Sequence, residues 1–128
     1  MDLLDTHLYG LIGEAKFREL VAAFYRRVPG DDILAPMYEG RPMKAPEDRL
    51  ADFLIQRFGG PDTYSRRRGH PRLRMRHGPF KIDQRARDRW MELMEGAMAE
   101  TPLPEKAVPL LRSFFHDAAT FMINHAGE

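Results

Sequence analysis

His77 is where chemistry is most readily placed in this sequence. It closes an arginine-rich segment and is followed at once by Gly78-Pro79, a pair that stops a helix. A histidine in such a setting is ordinarily a surface or hydrogen-bonded structural residue. The alternative is a metal ligand, because neutral imidazole binds transition metals well. No His-Glu or His-His pair has the spacing to complete a zinc site made by protein alone, and His70, His116 and His125 are scattered. There is no cysteine, so thiolate ligands, thiolate catalysis and disulfides are all excluded. A lone histidine ligand makes sense when a cofactor supplies the remaining donors. A porphyrin does so, leaving the protein only the axial positions.

Arginine is the second signal. Of the 20 basic residues only Lys16, Lys44, Lys81 and Lys106 are lysines, and six arginines fall between Arg66 and Arg76. A solvated basic face is the ordinary explanation. A nucleic-acid patch is weakened by a formal net charge of +1 and by the lack of interleaved aromatics. Anion binding beside His77 is a third option, since guanidinium pairs with carboxylates through two N–H bonds. The aromatics Phe24-Tyr25, Met37-Tyr38 and Trp90 would by default belong to the core. Yet a buried Tyr25 hydroxyl needs a partner, and the Trp90 indole offers only a donor. Two such donors converging on an apolar cavity would suit a diatomic ligand.

Bulk properties narrow the class. With 128 residues, 43% of them apolar, the chain is expected to form one domain, 1–128, around one core. The Met1 end carries Asp2, Asp5 and Glu14 without a long apolar run, unlike a signal peptide. No apolar stretch nears the roughly 20 residues of a membrane span. The expectation is a soluble, cytoplasmic protein with no membrane or nucleic-acid partner.

The elements that must carry these residues are helices. From about Glu14 to Val28, Phe17, Leu20, Val21, Phe24 and Val28 repeat at helical spacing, and Pro29-Gly30 ends the run. Asp31-Asp32 can cap a short turn through Ile33 and Leu34. Prolines 36, 42 and 46 keep the following stretch mostly irregular. A second helix is expected from about Pro46 to Phe58, with Leu50, Phe53, Leu54 and Phe58 on its apolar face and Gly59-Gly60-Pro61 as its stop. Between Asp62 and Ile82, Leu73 and Met75 alternate like a strand, while Leu73 and His77 are one helical turn apart. Asp83 can cap a third helix bearing Ala86, Trp90, Leu93, Met94 and Ala97. A last helix is expected from about Glu105 to Asn124, lined by Leu111, Phe115, Ala118 and Met122 and widened by Phe114 and Phe121. The class is all-α.

The run Gly59-Gly60-Pro61-Asp62-Thr63-Tyr64-Ser65, followed by residues Arg68 to Phe80, resembles the group II truncated haemoglobins, the two-over-two helical globins. The likeness extends from about Leu8 to Phe121, and the spacings from Tyr25 to Tyr38, His77 and Trp90 match without a gap. It implies a helical sandwich around one haem b. His77 would be the proximal iron ligand on a short helix. Tyr25, Tyr38 and Trp90 would face the bound ligand. Arg49, Tyr64 and Arg76 would contact the propionates, and Leu50, Phe53, Leu54 and Phe80 would wall the pocket. Some positions depart from the family's pattern. Gly10 and Gly13 stand apart where a Gly-Gly pair is usual, Phe58 replaces a common Trp, and Pro46 occupies the distal position where many globins carry histidine. Proline donates no hydrogen bond, so any stabilisation of bound ligand falls to Tyr25, Tyr38 and Trp90.

The resemblance implies a pentacoordinate iron that takes O2 and other diatomic ligands for storage, delivery or sensing. Consumption of nitric oxide or peroxide is the rival function. It would need an external reductase, because the chain contains no flavin or nicotinamide domain. A basic interaction module without haem is a third and weaker reading.

Overall fold

The computed structural model describes residues 3–38, 40, 42–70, 78 and 81–124. Six α-helices occur among them: α1 (Leu3–Ile12), α2 (Glu14–Arg27), α3 (Lys44–Arg57), α4 (Thr63–Arg68), α5 (Gln84–Glu100) and α6 (Ala107–Phe121). A single 3-10 turn, Ala35–Tyr38, lies between α2 and α3. No strand occurs among the described residues, and none of the described helices is long and apolar enough to cross a membrane.

α2 is the central element, and its sequence shows why. Phe17, Leu20, Val21, Phe24 and Val28 recur every three or four residues, and all are fully buried. α2 packs on both α3 and α5, α5 packs on α6, and α1 closes one end against α2 and α6. The buried side chains form one continuous cluster, from Leu8 on α1 to Ala119 on α6. Each fully buried Leu or Phe contributes about 1.5–3 kcal/mol by leaving water.

Chain punctuation follows local chemistry. Gly13 sits at φ 86°, a conformation that suits glycine, and separates α1 from α2. Gly60 lies against α1: a Cβ there would stand 2.6 Å from Ile55 Cγ2 and 2.7 Å from Tyr9 Cδ1. Beside it, the Tyr9 amide donates to the Phe58 carbonyl at 2.9 Å and ties α1 to the end of α3. Asp83 caps α5, accepting from the Ala86 amide at 2.9 Å.

Several boundaries differ from the sequence expectations. α1 was not expected: it carries apolar residues on several sides, and Leu11 is exposed, so its periodicity is weak. α3 begins two residues before Pro46, which the first turn tolerates because no intrahelical N–H bond is needed at that position. α4 also went unread, since Thr63–Arg68 offers no apolar stripe. The strand-like alternation of Leu73 and Met75 lies outside the described residues. α6 starts at Ala107 and ends at Phe121. Phe121 is 60% exposed and does not widen the apolar stripe.

Asp31 organises the connection after α2. Its buried carboxylate accepts from the amides of Leu34 at 2.8 Å and Ile33 at 3.1 Å, and pairs with Arg89 of α5. Burial pushes this carboxyl up, but the bonds from Leu34, Arg89 and Ile33 outweigh it and hold the group below the usual carboxylate value. A depressed folded-state pKa contributes stability above the unfolded value of about 3.9, lost as pH falls through the folded one. Asp31→Asn will therefore cost about 1–3 kcal/mol at pH 7, and the difference from the parent will shrink below about pH 4. Urea unfolding at pH 7 and pH 3 measures both; an equal loss at both pH values would contradict it.

Candidate functional site

A cavity of about 400 Å³ opens between α3, the 3-10 turn, α5 and α6. Its walls are mostly apolar. Leu50, Phe53 and Leu54 of α3 form one side; Ile82 and the α5 and α6 residues Ala86, Phe114, Phe115, Ala118 and Met122 form much of the other. Small side chains matter as much as large ones. Ala86, Ala118 and Ala119 line the cavity because they leave space that a larger residue would fill.

Polar groups are concentrated at one end. Tyr25, near the end of α2, meets Tyr38 at the end of the 3-10 turn, with rings 5.8 Å apart and nearly perpendicular. Their hydroxyls are near enough for each tyrosine to influence the other's ionisation. Burial pushes Tyr25 well above the usual tyrosine value, and the charge and hydrogen bond of Tyr38 push it further. Burial also raises Tyr38, while the bond from Tyr25 and the Arg49 charge oppose the rise. Each hydroxyl can donate one proton, and both stand at the same end of the cavity. Trp90, on α5, also lines the cavity. Its indole is wedged between Phe24, 5.1 Å away, and Phe115, 5.7 Å away, which fixes its orientation. Pro46 is buried in the same wall and offers no donor.

Charge on the wall comes from arginine. Arg49 is an exposed residue of α3 that contributes to the lining, and no carboxylate pairs with it among the described residues. Tyr64 of α4 is buried with its ring edge against Phe53, 5.7 Å between centroids. Arg87 was missed by the sequence reading. It lines the cavity while Nε donates to Thr120 Oγ1 at 3.1 Å and Nη2 approaches His116 Nδ1 at 2.8 Å, joining α5 to α6. Its place one turn before Trp90 on the same helix was the available clue. Met37, on the 3-10 turn, also belongs to the lining beside Tyr38.

The structure thus brings together Tyr25, Tyr38, Arg49, Leu50, Phe53, Leu54, Tyr64 and Trp90 around one cavity. His77, Arg76 and Phe80 lie outside the described residues. Among the described residues no three His, Cys, Asp or Glu side chains are grouped to hold a metal ion.

An all-helical fold around an apolar slot, with donors at one end and a cation on its wall, is the architecture of a globin. The bacterial-like globin family model matches residues 7–124. The chain is 34% identical over 116 residues to the group 2 truncated haemoglobin YjbI of Bacillus subtilis, covering 91% of this chain and 87% of that one. The solved haemoglobin of the thermophilic phototroph Chloroflexus aurantiacus superposes with a TM-score of 0.89 at 45% identity, covering 93% of this chain and 98% of its own. A solved truncated haemoglobin of B. subtilis, described as oxygen-avid, gives a TM-score of 0.87 at 33% identity, covering 92% and 99%. The chain belongs to the bacterial-like globins, and its fold and relatives make it a group II truncated haemoglobin.

That family binds haem, and the residues present fit it. A flat apolar macrocycle suits walls of Leu50, Phe53, Leu54 and Phe114, and its carboxylates suit an arginine without a carboxylate partner among the described residues.

Proposed function

We propose that the protein holds one haem b through His77 and binds O2 and other diatomic ligands reversibly within one globin domain. The observation that carries this reading is the meeting of the Tyr25–Tyr38 pair and Trp90 on one apolar cavity with Arg49 on its wall. Haem would supply the iron to which a diatomic molecule binds, with one axial position left to His77. Every other contribution comes from the chain. Tyr25 and Tyr38, held ring against ring, offer hydroxyl donors toward the guest. Trp90, clamped by Phe24 and Phe115, supplies a second donor. Leu50, Phe53 and Leu54 keep water away, so that each bond acts in a low dielectric. Arg49, Tyr64 and Arg76 hold the propionate edge, and Phe80 completes the wall. The B. subtilis protein described as oxygen-avid supports an oxygen ligand here.

Reversible O2 binding is the direct test. Reduced protein exposed to rising O2 should show a saturable spectral change that reverses on deoxygenation over several cycles. Immediate irreversible oxidation without a reversible phase would contradict the proposal. The rival reading, turnover of nitric oxide or peroxide, requires a separate reductase as partner. It predicts multiple-turnover nitric oxide consumption once a reductase is supplied.

Arg49 adds a further prediction. Arg49→Ala, alone or with Arg76→Ala, will speed transfer of haem to an apo-globin acceptor. The factor should be up to about fivefold, since an exposed ion pair contributes about 0–1 kcal/mol. Unchanged transfer rates would leave these arginines as a solvated face.

A further inference from the structure

Asp52 lies on α3 next to Phe53, and its side chain is only 4% exposed. Burying a carboxylate is costly unless it is well paired. Asp52 is paired twice. Oδ1 accepts from Arg18 Nη2 of α2 at 2.9 Å, and Oδ2 accepts from Arg68 Nη1 of α4 at 2.9 Å. A third arginine, Arg67, reaches within 4.0 Å of Oδ2. Arg68 in turn lies over the Tyr64 ring, with Cζ 5.4 Å from its centroid. Tyr64 and the neighbouring Phe53 both line the cavity.

α4 needs such support. It has six residues and no side-chain hydrogen bond at its N-cap, far short of what a helix requires to persist alone. Besides the Tyr64–Phe53 ring contact, it is tied to α3 by Gln56, which donates to Ser65 Oγ at 2.7 Å and accepts from the Ser65 amide at 2.9 Å. α4 is followed in the chain by the segment that contains Arg76 and His77.

We infer that Asp52 is a positioning residue for the haem edge: by holding Arg68 it fixes Tyr64 and the helix leading into the His77 segment, and so limits how fast haem leaves. This rests on the haem reading above. The carboxylate's two partners separate its roles. The Arg68 arm serves the cavity, and the Arg18 arm serves only the packing of α2 on α3.

Four variants test it: Asp52→Asn, Arg68→Gln, their double, and Arg18→Gln. Two readouts are taken on the protein as purified: haem transfer to excess apo-globin acceptor, and hydrogen exchange at residues 63–68 relative to α5. Asp52→Asn and Arg68→Gln should each speed haem transfer about tenfold, the scale of one charge-assisted hydrogen bond, and speed exchange at 63–68. The double variant should go no faster than either single one. Arg18→Gln should lower thermal stability yet leave haem transfer within about twofold of the parent. If Asp52→Asn fails to fold, Arg68→Gln carries the test, with Arg68→Lys expected to restore part of the loss. Equal acceleration by Asp52→Asn in the Arg68→Gln background, or by Arg18→Gln, would reduce Asp52 to general stability and overturn the inference. Exchange at 63–68 unchanged in Asp52→Asn overturns it with or without haem. A purified protein that takes up no haem instead overturns the function proposed above.

Discussion

His77→Gly will yield a protein that either lacks haem or regains axial ligation only when imidazole is added. The expectation is large because a porphyrin leaves the protein only axial positions, and His77 is the residue proposed to fill one. In a cavity whose walls are mostly apolar, the remaining hold on haem is apolar contact and the propionate edge. Those forces retain a macrocycle loosely but do not set the state of its iron. Imidazole at millimolar concentration should fill the space left by the truncated side chain and restore the parent spectrum. An unchanged reduced spectrum in His77→Gly without imidazole would rule out the assignment.

The second large effect is expected on the distal side, where donors and not access control release. Trp90→Phe keeps an aromatic wall between Phe24 and Phe115 but deletes the indole donor. Tyr38→Phe and Tyr25→Phe each delete one hydroxyl from the cavity lining. Each should accelerate O2 release by roughly 5–30-fold, the equivalent of a hydrogen bond worth about 1–2 kcal/mol. Pro46→Ala removes no donor and should leave release within a few-fold of the parent. Carbon monoxide, a poorer acceptor, should respond less throughout. Stopped-flow mixing and flash photolysis on the four variants give these rates. If Pro46→Ala has the largest effect, the cavity works through entry and exit.

What the sequence disclosed depended on how the information is stored in it. α2 was legible because Phe17, Leu20, Val21 and Phe24 repeat at helical spacing, and α5 because Asp83 announces its start. α4 was not, because Thr63–Arg68 has no apolar repeat; Phe53, Asp52 and Gln56 hold it from α3. The need for a partner at Tyr25 could be read from burial and a hydroxyl. That the partner is Tyr38 could not, since the two are joined by a turn built on Asp31. The cavity itself is partly a matter of missing volume at Ala86, Ala118 and Ala119, and alanine on a helix reads as ordinary core. Grouping Arg49, Tyr64 and Trp90 came from the family resemblance, because residues so far apart in the chain carry no spacing signal.

Titration of the haem-free protein with haemin addresses the central claim most directly. A Soret band should grow linearly and break at one equivalent per chain, and on reduction the spectrum should be that of a histidine-ligated globin. Absence of a break, or an identical titration for His77→Gly, would contradict a haem site built on this chain's own residues.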